Sequence, residues 1–357
     1  MHKPTMLALR RKVSGIGLPT CRRLVIGVPP ARETSPPRSA GFSTLSPADV
    51  RGGELANRLP LALALLLTTA AAAQPAARAI SYHAQETPRW YSENHCFSCH
   101  NNGDAARALF LATQRGYAIP ANSLQDTVTW LRDPAGWDHN HGNPGFSDKR
   151  LARIQFATAL AEAWKTGYTH DSDALLRAAD SLLPEQDPTG AWKVDTGGVA
   201  GAPATYGSAL ATYMARRTLE TADGRRFAQP IARANRWLNS LQPGNILDRA
   251  AVLLALPDSA PRHLAALLAA QTSDGGWGPQ PHAPAEAFDT AVTLLALHGA
   301  HSAAAIDRGR AFLAKFQLAD GSWPETTRPA GFTSYAERVS TAAWAAYALM
   351  ITDPKGN

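Results

Sequence analysis

The chain has 357 residues, 45% of them hydrophobic and only 8% aromatic, enough for one large core. Its formal net charge is +6, but residues 1–73 hold 10 Lys+Arg and 3 Asp+Glu, which leaves 25 against 26 beyond them and a net of −1 there. With no Lys/Arg stripe carrying interleaved aromatics in that remainder, the composition argues against a nucleic-acid partner.

Residues 1–49 are rich in Pro, Arg and Ser without any period, and read as a disordered leader or as an upstream start ahead of a true start near Val50. Arg51 and Arg58 then precede an apolar run from Leu59 to Leu67, which passes through Thr68-Thr69 into an alanine tract. A basic flank, a short apolar stretch and the small residues Ala71-Ala72-Ala73 describe a secretory signal peptide over 50–73, cleaved after Ala73, with Ala77-Arg78-Ala79 as a second cleavage candidate. The run is too short to span ~30 Å of hydrocarbon. The expected location is periplasmic or secreted, with no membrane span after cleavage. Only Cys96 and Cys99 of the three cysteines remain in the mature chain.

Residues 74–102 are expected to be an extended segment, with at most a short helix within 80–93, carrying Cys96-Phe97-Ser98-Cys99-His100. Two thiols at this spacing can each add to a vinyl group of haem, while the adjacent histidine supplies an imidazole to iron. That chemistry takes place outside the cytoplasm, in agreement with the signal peptide. A thioredoxin-like redox pair would need a βαβ context, which is absent. A structural zinc site would need four ligands, and there is no second Cys-x-x-Cys. A plain disulfide in a turn stays open as the alternative.

From residue 103 to 357 the chain reads as an all-α domain. Ala- and Leu-rich stretches with apolar residues three and four apart alternate with Gly/Pro-rich turns. They predict helices at about 103–115, 121–132, 148–165, 171–183, 204–218, 225–241, 246–256, 259–270, 285–299, 301–316 and 334–351. Between several of them recurs Gln-x-x-x-Gly-x-Trp: Gln186 to Trp192, Gln271 to Trp277 and Gln317 to Trp323. Asp133 to Trp137 and Gln242-Pro243-Gly244 look like degraded copies. In this motif Gln can tie down unpaired backbone groups at a helix end, Gly permits the left-handed turn, and Trp is expected to pack against the neighbouring hairpin.

The repeat resembles the QW motif of squalene–hopene and oxidosqualene cyclases. The resemblance implies an (α/α) toroid of about six helical hairpins, the ring those enzymes share with protein prenyltransferase β-subunits. It covers roughly residues 100–351. Against the cyclases' Asp-x-Asp-Asp-Thr-Ala segment the chain offers Glu286-Ala287-Phe288-Asp289-Thr290-Ala291. Phe288 stands at the proton donor's position and cannot deliver a proton, so cyclisation by the family mechanism is not expected. Asp289 reads as a structural residue at a helix start. The zinc ligands of the prenyltransferases are also missing, since both mature cysteines precede the ring.

If helix 103–115 lines the inside of such a ring, its start lies on the face that carries Trp137, Trp192, Trp277 and Trp323. Asp138-His139-Asn140-His141 and His282 sit in loops of that face, whereas Met350 falls at the opposite one and Met214 lies deep in the ring sequence. A six-coordinate haem iron held by His100 would therefore take His139 or His141 as its sixth ligand. His95 is too near in sequence to reach across, and His263, His298 and His301 read as surface or capping residues. A solvated polar loop is the plain alternative for His139 and His141.

Three functions follow. The first is a haem c toroid with a periplasmic redox partner, acting in electron transfer or redox sensing. The second is an enzyme or binding protein for an isoprenoid-like apolar small molecule in the ring cavity, with Asp289, Tyr206, Tyr335 and Glu337 near inner-helix starts and the Cys-x-x-Cys as a disulfide. The third is a binding scaffold without chemistry.

Overall fold

The computed structural model describes residues 74–140, 149–194, 206–257, 261–300 and 302–354. The leader and the proposed signal peptide, together with His141 and His301, lie outside the described residues. The α-helices are α1 Pro75–Asn94, α2 Ala106–Gln114, α3 Gln125–Leu131, α4 Lys149–Lys165, α5 Ser172–Leu182, α6 Gly207–Asp223, α7 Ala228–Ser240, α8 Ile246–Ala255, α9 Pro261–Ala269, α10 Ala287–His298, α11 Ala303–Phe316 and α12 Tyr335–Ile351. A π-helical turn, Cys99–Ala105, leads directly into α2. No strand occurs among the described residues; Trp277 and Glu286 form one isolated bridge.

The even-numbered helices each touch the next, α2 to α4, α6, α8, α10 and α12, and α12 touches α2 again. They form a closed inner ring, with α1, α3, α5, α7, α9 and α11 packed outside it. The sequence explains the division. Inner helix α12 is buried almost all round, from Ala336 to Met350, and its run of alanines lets neighbours approach closely. Outer helix α7 buries a single stripe, Pro230, Ala234 and Leu238, at the four-residue spacing of an amphipathic helix. Several helix starts are capped by short polar side chains: Asp171 accepts from Ala174 N, Asn245 from Asp248 N and Ser334 from Glu337 N.

The three full motifs are superimposable in their bonding. Gln186 Nε2 donates to Gly190 O at 3.0 Å and to Pro230 O of α7 at 2.9 Å. Gln271 Nε2 donates to Gly275 O at 2.7 Å and to Ala305 O of α11 at 2.9 Å. Gln317 Nε2 donates to Gly321 O at 2.8 Å and to Pro75 O of α1 at 2.8 Å. Each motif thus fastens one hairpin to the outer helix of the next, and the last fastens the ring shut on the first helix. The glycines sit at φ 106°, 91° and 91°. A Cβ on Gly321 would meet Arg78 O at 2.4 Å, so glycine is needed both for its dihedral and for the close approach.

The inter-repeat hydrogen bond belongs to Gln, while the Trp ring packs as expected, that of Trp277 lying against Gly309 of α11 in the next hairpin. The indole N–H turns back to the outer helix just left: Trp192 to Leu182 O, Trp277 to Leu267 O and Trp323 to Leu313 O, at 2.7–2.8 Å. Trp137 of the degraded copy does the same with Trp130 O at 3.1 Å. One expectation is corrected: 74–102 is not extended. It is mostly the 20-residue α1, whose buried positions mix Ala76, Ala79, Ile80, Tyr82 and Ala84 with His83, Glu86 and Thr87, so the apolar stripe is interrupted.

Candidate functional site

Two places concentrate chemistry on the ring. The first is where the Cys-x-x-Cys-His loop enters the core. α1 ends at His95, which takes a left-handed conformation at φ 53°. The Phe97 ring is then held between Tyr91 and Trp130, with centroids 4.4 and 4.5 Å away. Asn140 clamps the same residue from the other side, accepting from Phe97 N at 2.8 Å and donating to Phe97 O at 2.5 Å. Ser98 caps the π-helical turn by accepting from His100 N and Asn101 N. Cys96 is buried, while Cys99 and His100 are half-buried.

His100 feeds a buried polar relay. Ser340 Oγ lies 2.7 Å from His100 Nδ1 and donates to Asp104 Oδ2 at 2.7 Å. Since a hydroxyl has one proton to give, Nδ1–H of His100 is the donor into Ser340, and the imidazole lone pair rests on Nε2. Asp104 is the hub: Gln155 Nε2 also donates to Oδ2 at 2.8 Å, and Tyr206 OH donates to Oδ1 at 2.8 Å. Trp344 Nε1 completes the chain by donating to Tyr206 OH at 3.0 Å. Desolvation lowers the His100 pKa, with the Asp104 charge opposing it.

The second place is a cavity on the ring axis, of about 300 Å³, to which all six inner helices contribute. Its floor is Arg107 on the first turn of α2, only 5% exposed. The guanidinium carbon lies 3.9 Å from the Trp344 ring centroid and 4.5 Å from that of Tyr347. Tyr213, Leu254 and Leu295 line the walls, and Lys165, Arg217 and His298 stand among the residues from the C-terminal halves of the inner helices.

The structure places the sequence candidates as follows. Cys96, Cys99 and His100 are together by covalent necessity, and the loop holding His139 is brought to them by the Asn140 clamp; the His139 side chain itself is exposed. Tyr206 is buried and bonded to Asp104. Tyr335 OH donates to Glu86 Oε2 at 2.7 Å and accepts from Asn101 Nδ2 at 2.8 Å, while its ring stacks on Trp90. Glu337 is buried in the first turn of α12. Asp289, 1% exposed, is a structural residue by an ion pair rather than by capping: Arg328 Nη2 reaches its Oδ2 at 2.7 Å while Nη1 holds Glu286. Burial raises the Asp289 carboxyl above its ordinary range, the Arg328 charge opposing.

His298, half-buried in the last turn of α10, also lines the cavity, and His263 is corrected to a buried residue with its pKa lowered by desolvation. Met214 also lines the cavity. No group of three or more His, Cys, Asp or Glu able to hold a metal ion occurs among the described residues. No helix among them is long and apolar enough to cross a membrane.

Sequence reasoning missed Asp104, Arg107 and Ser340. A signal existed for the first two: Asn101-Asn102-Gly103-Asp104 is a polar run that is wholly buried, and Arg107 is a lone charge within an otherwise apolar helix.

No protein-family profile matches the chain, and no curated protein matches it in sequence. Among solved structures it is similar to the type II terpene cyclase MstE from Scytonema, solved as an arginine-to-alanine variant with its substrate geranylgeranyl dihydroxybenzoate. The identity is 15% and the TM-score 0.47, over 77% of this chain and 97% of that one.

Proposed function

We propose that the chain is an exported haem c toroid, in which Cys96 and Cys99 hold the macrocycle through thioethers and His100 ligates iron, serving electron transfer or redox sensing. The observation that carries this reading is the state of His100. Its Nδ1–H is committed to Ser340, which orients the ring and leaves Nε2 as the coordinating nitrogen. Metal-ligating histidines have this arrangement, one nitrogen on the metal and the other donating to an oriented acceptor.

What supports the group is the kind of donors present: two cysteines two residues apart in sequence, one imidazole engaged by Ser340 at Nδ1, and a second histidine-bearing loop clamped alongside by Asn140. His139 is then the described candidate for a sixth ligand. Haem, when bound, supplies one-electron chemistry; the chain's own part is to orient His100 through Ser340 and Asp104 and to hold Phe97 in its aromatic column. The signal peptide expected over 50–73 would bring the chain to a location where thioether attachment occurs.

The test is a pyridine haemochrome spectrum of the protein exported in cells with the cytochrome c maturation machinery, beside Cys96→Ala and Cys99→Ala. A c-type α-band lost or altered in both variants is the expected result. A colourless wild-type protein rejects the reading.

The axial cavity favours a second reading, an enzyme or binding protein for an isoprenoid-like apolar ligand with the Cys-x-x-Cys as a disulfide. A missing Soret band together with saturable binding of an apolar probe would select it.

A further inference from the structure

The guanidinium of Arg107 is the most unusual group in the ring. It is buried, it is sandwiched between Trp344 and Tyr347, and it makes no hydrogen bond or ion pair with any described residue. Its Nε is sealed from solvent without a partner. Arginine carries five N–H donors in a fixed planar fork and stays charged. Buried charges are ordinarily paired, because desolvating them without a counter-group is costly.

The nearby acids Asp104 and Glu162 favour its charge through space, but neither gives it a hydrogen bond. Both oxygens of Asp104 are taken by Tyr206, Ser340 and Gln155. Glu162 lies on the cavity wall, where Lys165 Nζ binds it at 3.3 Å. Arg107 therefore presents an unused fork to the cavity that it lines. The wall is otherwise apolar and aromatic, with Tyr213, Leu254, Leu295 and Ile351, and its charged members are three cations, Arg107, Lys165 and Arg217, against the single anion Glu162.

We propose that the axial cavity binds a small organic acid with an aliphatic or aromatic body, its carboxylate taken by Arg107 and its body lying among the apolar wall residues. The two aromatic rings hold the guanidinium plane in position, so the fork is organised before the acid arrives. A carboxylate matches that fork with two parallel N–H···O bonds. The cavity volume, about 300 Å³, is at the lower end for ligand sites and suits a body of modest length. This reading is independent of haem at Cys96 and Cys99.

The test is titration calorimetry of the full chain with octanoate, octanol and octylamine, at fixed pH 7.5. Octanoate is expected to saturate one site and to bind on the order of tenfold or more tighter than octanol, with octylamine weakest. Arg107→Met, of similar length and suited to an aromatic sandwich, is expected to remove the preference for octanoate over octanol. Arg107→Lys is expected to keep part of it. Equal binding of octanoate and octanol by the wild-type protein, no saturable octanoate site up to millimolar concentration, or an unchanged preference in folded Arg107→Met would each overturn the proposal. The wild-type comparison needs no variant, so the proposal stays open to refutation even if Arg107→Met fails to fold.

Discussion

Gly321 and Gly331 share φ 91°, yet their surroundings differ completely, and the pair isolates the strength of the ring seam. A methyl group on Gly331 meets nothing within 4 Å, so Gly331→Ala carries only the left-handed dihedral penalty, about 1 kcal/mol. On Gly321 the same methyl would stand 2.4 Å from Arg78 O and 2.7 Å from Arg78 C, roughly an ångström inside van der Waals contact. The start of α1 has to withdraw by that amount, and Gln317 Nε2 then loses its 2.8 Å bond to Pro75 O. One broken bond at about 1 kcal/mol, the unsatisfied buried groups it leaves, and the dihedral penalty sum to about 3–4 kcal/mol for Gly321→Ala. Urea titrations followed by tryptophan fluorescence measure both variants against the wild type. Equal losses for the two would refute the claim that the seam is a close-packed junction. Gly275→Ala, with its Cβ 2.6 Å from Arg308 O, should fall near Gly321→Ala if all seams are alike.

Three further outcomes are expected. His83 is fully buried in α1 with its pKa pushed down to about 4 by desolvation, below the unfolded value of 6.5, so the unfolded chain binds the extra proton and stability falls as pH drops from 6.5 to 4. The loss should approach about 3 kcal/mol across that window, and His83→Phe should remove that share of the slope in urea midpoints measured at pH 7, 6 and 5. Tyr206→Phe strips Asp104 Oδ1 of its donor and Trp344 Nε1 of its acceptor, and should lower stability by about 2 kcal/mol or more; an unchanged urea midpoint would show that the Asp104 hub is not cohesive. If the haem reading holds, Ser340→Ala should raise the reduction potential in spectroelectrochemical titration, because His100 loses the acceptor that strengthens it as a ligand, while an unchanged potential would contradict the relay.

Much of the ring could be read from the sequence because its cohesion is periodic. Helices α2 to α12 fall close to their expected places, since each buries apolar residues at helical spacing and ends in Gly- or Pro-containing turns. α6 runs on to Asp223, beyond the expected 218, because Arg216 and Arg217 both pair with Glu220 and extend a polar but stable last turn. α1 was hidden for a different reason. Part of its inner face meets other elements with hydrogen bonds, Asn101 Nδ2 reaching Glu86 O at 3.1 Å and Tyr335 OH reaching Glu86 Oε2, and such contacts interrupt the hydrophobic period that Ala76, Ala79 and Ile80 begin. Pro88 inside the helix weakened the signal further.

The site was legible as a motif but not as a constellation. Cys96 to His100 announces itself by spacing alone, whereas Ser340 stands 240 residues away on the last helix and carries no mark of its partnership. The clamp by Asn140 is of the same kind: the loop's neighbourhood followed from ring topology, but the residue making the contact lies between the two histidines that drew attention. Arg107 was passed over because a single basic residue in an Ala/Leu helix usually points to solvent; only the three-dimensional ring shows that this face is the axis.

The seam between Gln317 and Pro75 joins residues 242 apart in sequence, while Gln186 to Pro230 spans 44 and Gln271 to Ala305 spans 34. Each of the other fasteners closes as soon as the next hairpin is made, but the last must wait for the entire chain. During synthesis α1 is therefore made long before the segment that seals it, and in the meantime its neighbours are the turn at Cys99–Ala105, α2 and α3. Its buried face mixes Ala76, Ala79, Ile80 and Tyr82 with His83, Glu86 and Thr87, and Asn101 and Asn102 reach Glu86 O and Thr87 O from only 15 residues on, so part of that face is covered early rather than left open to stray association. The local contacts of α1 are thus what allow the opening segment of a closed ring to be made long before the segment that completes it.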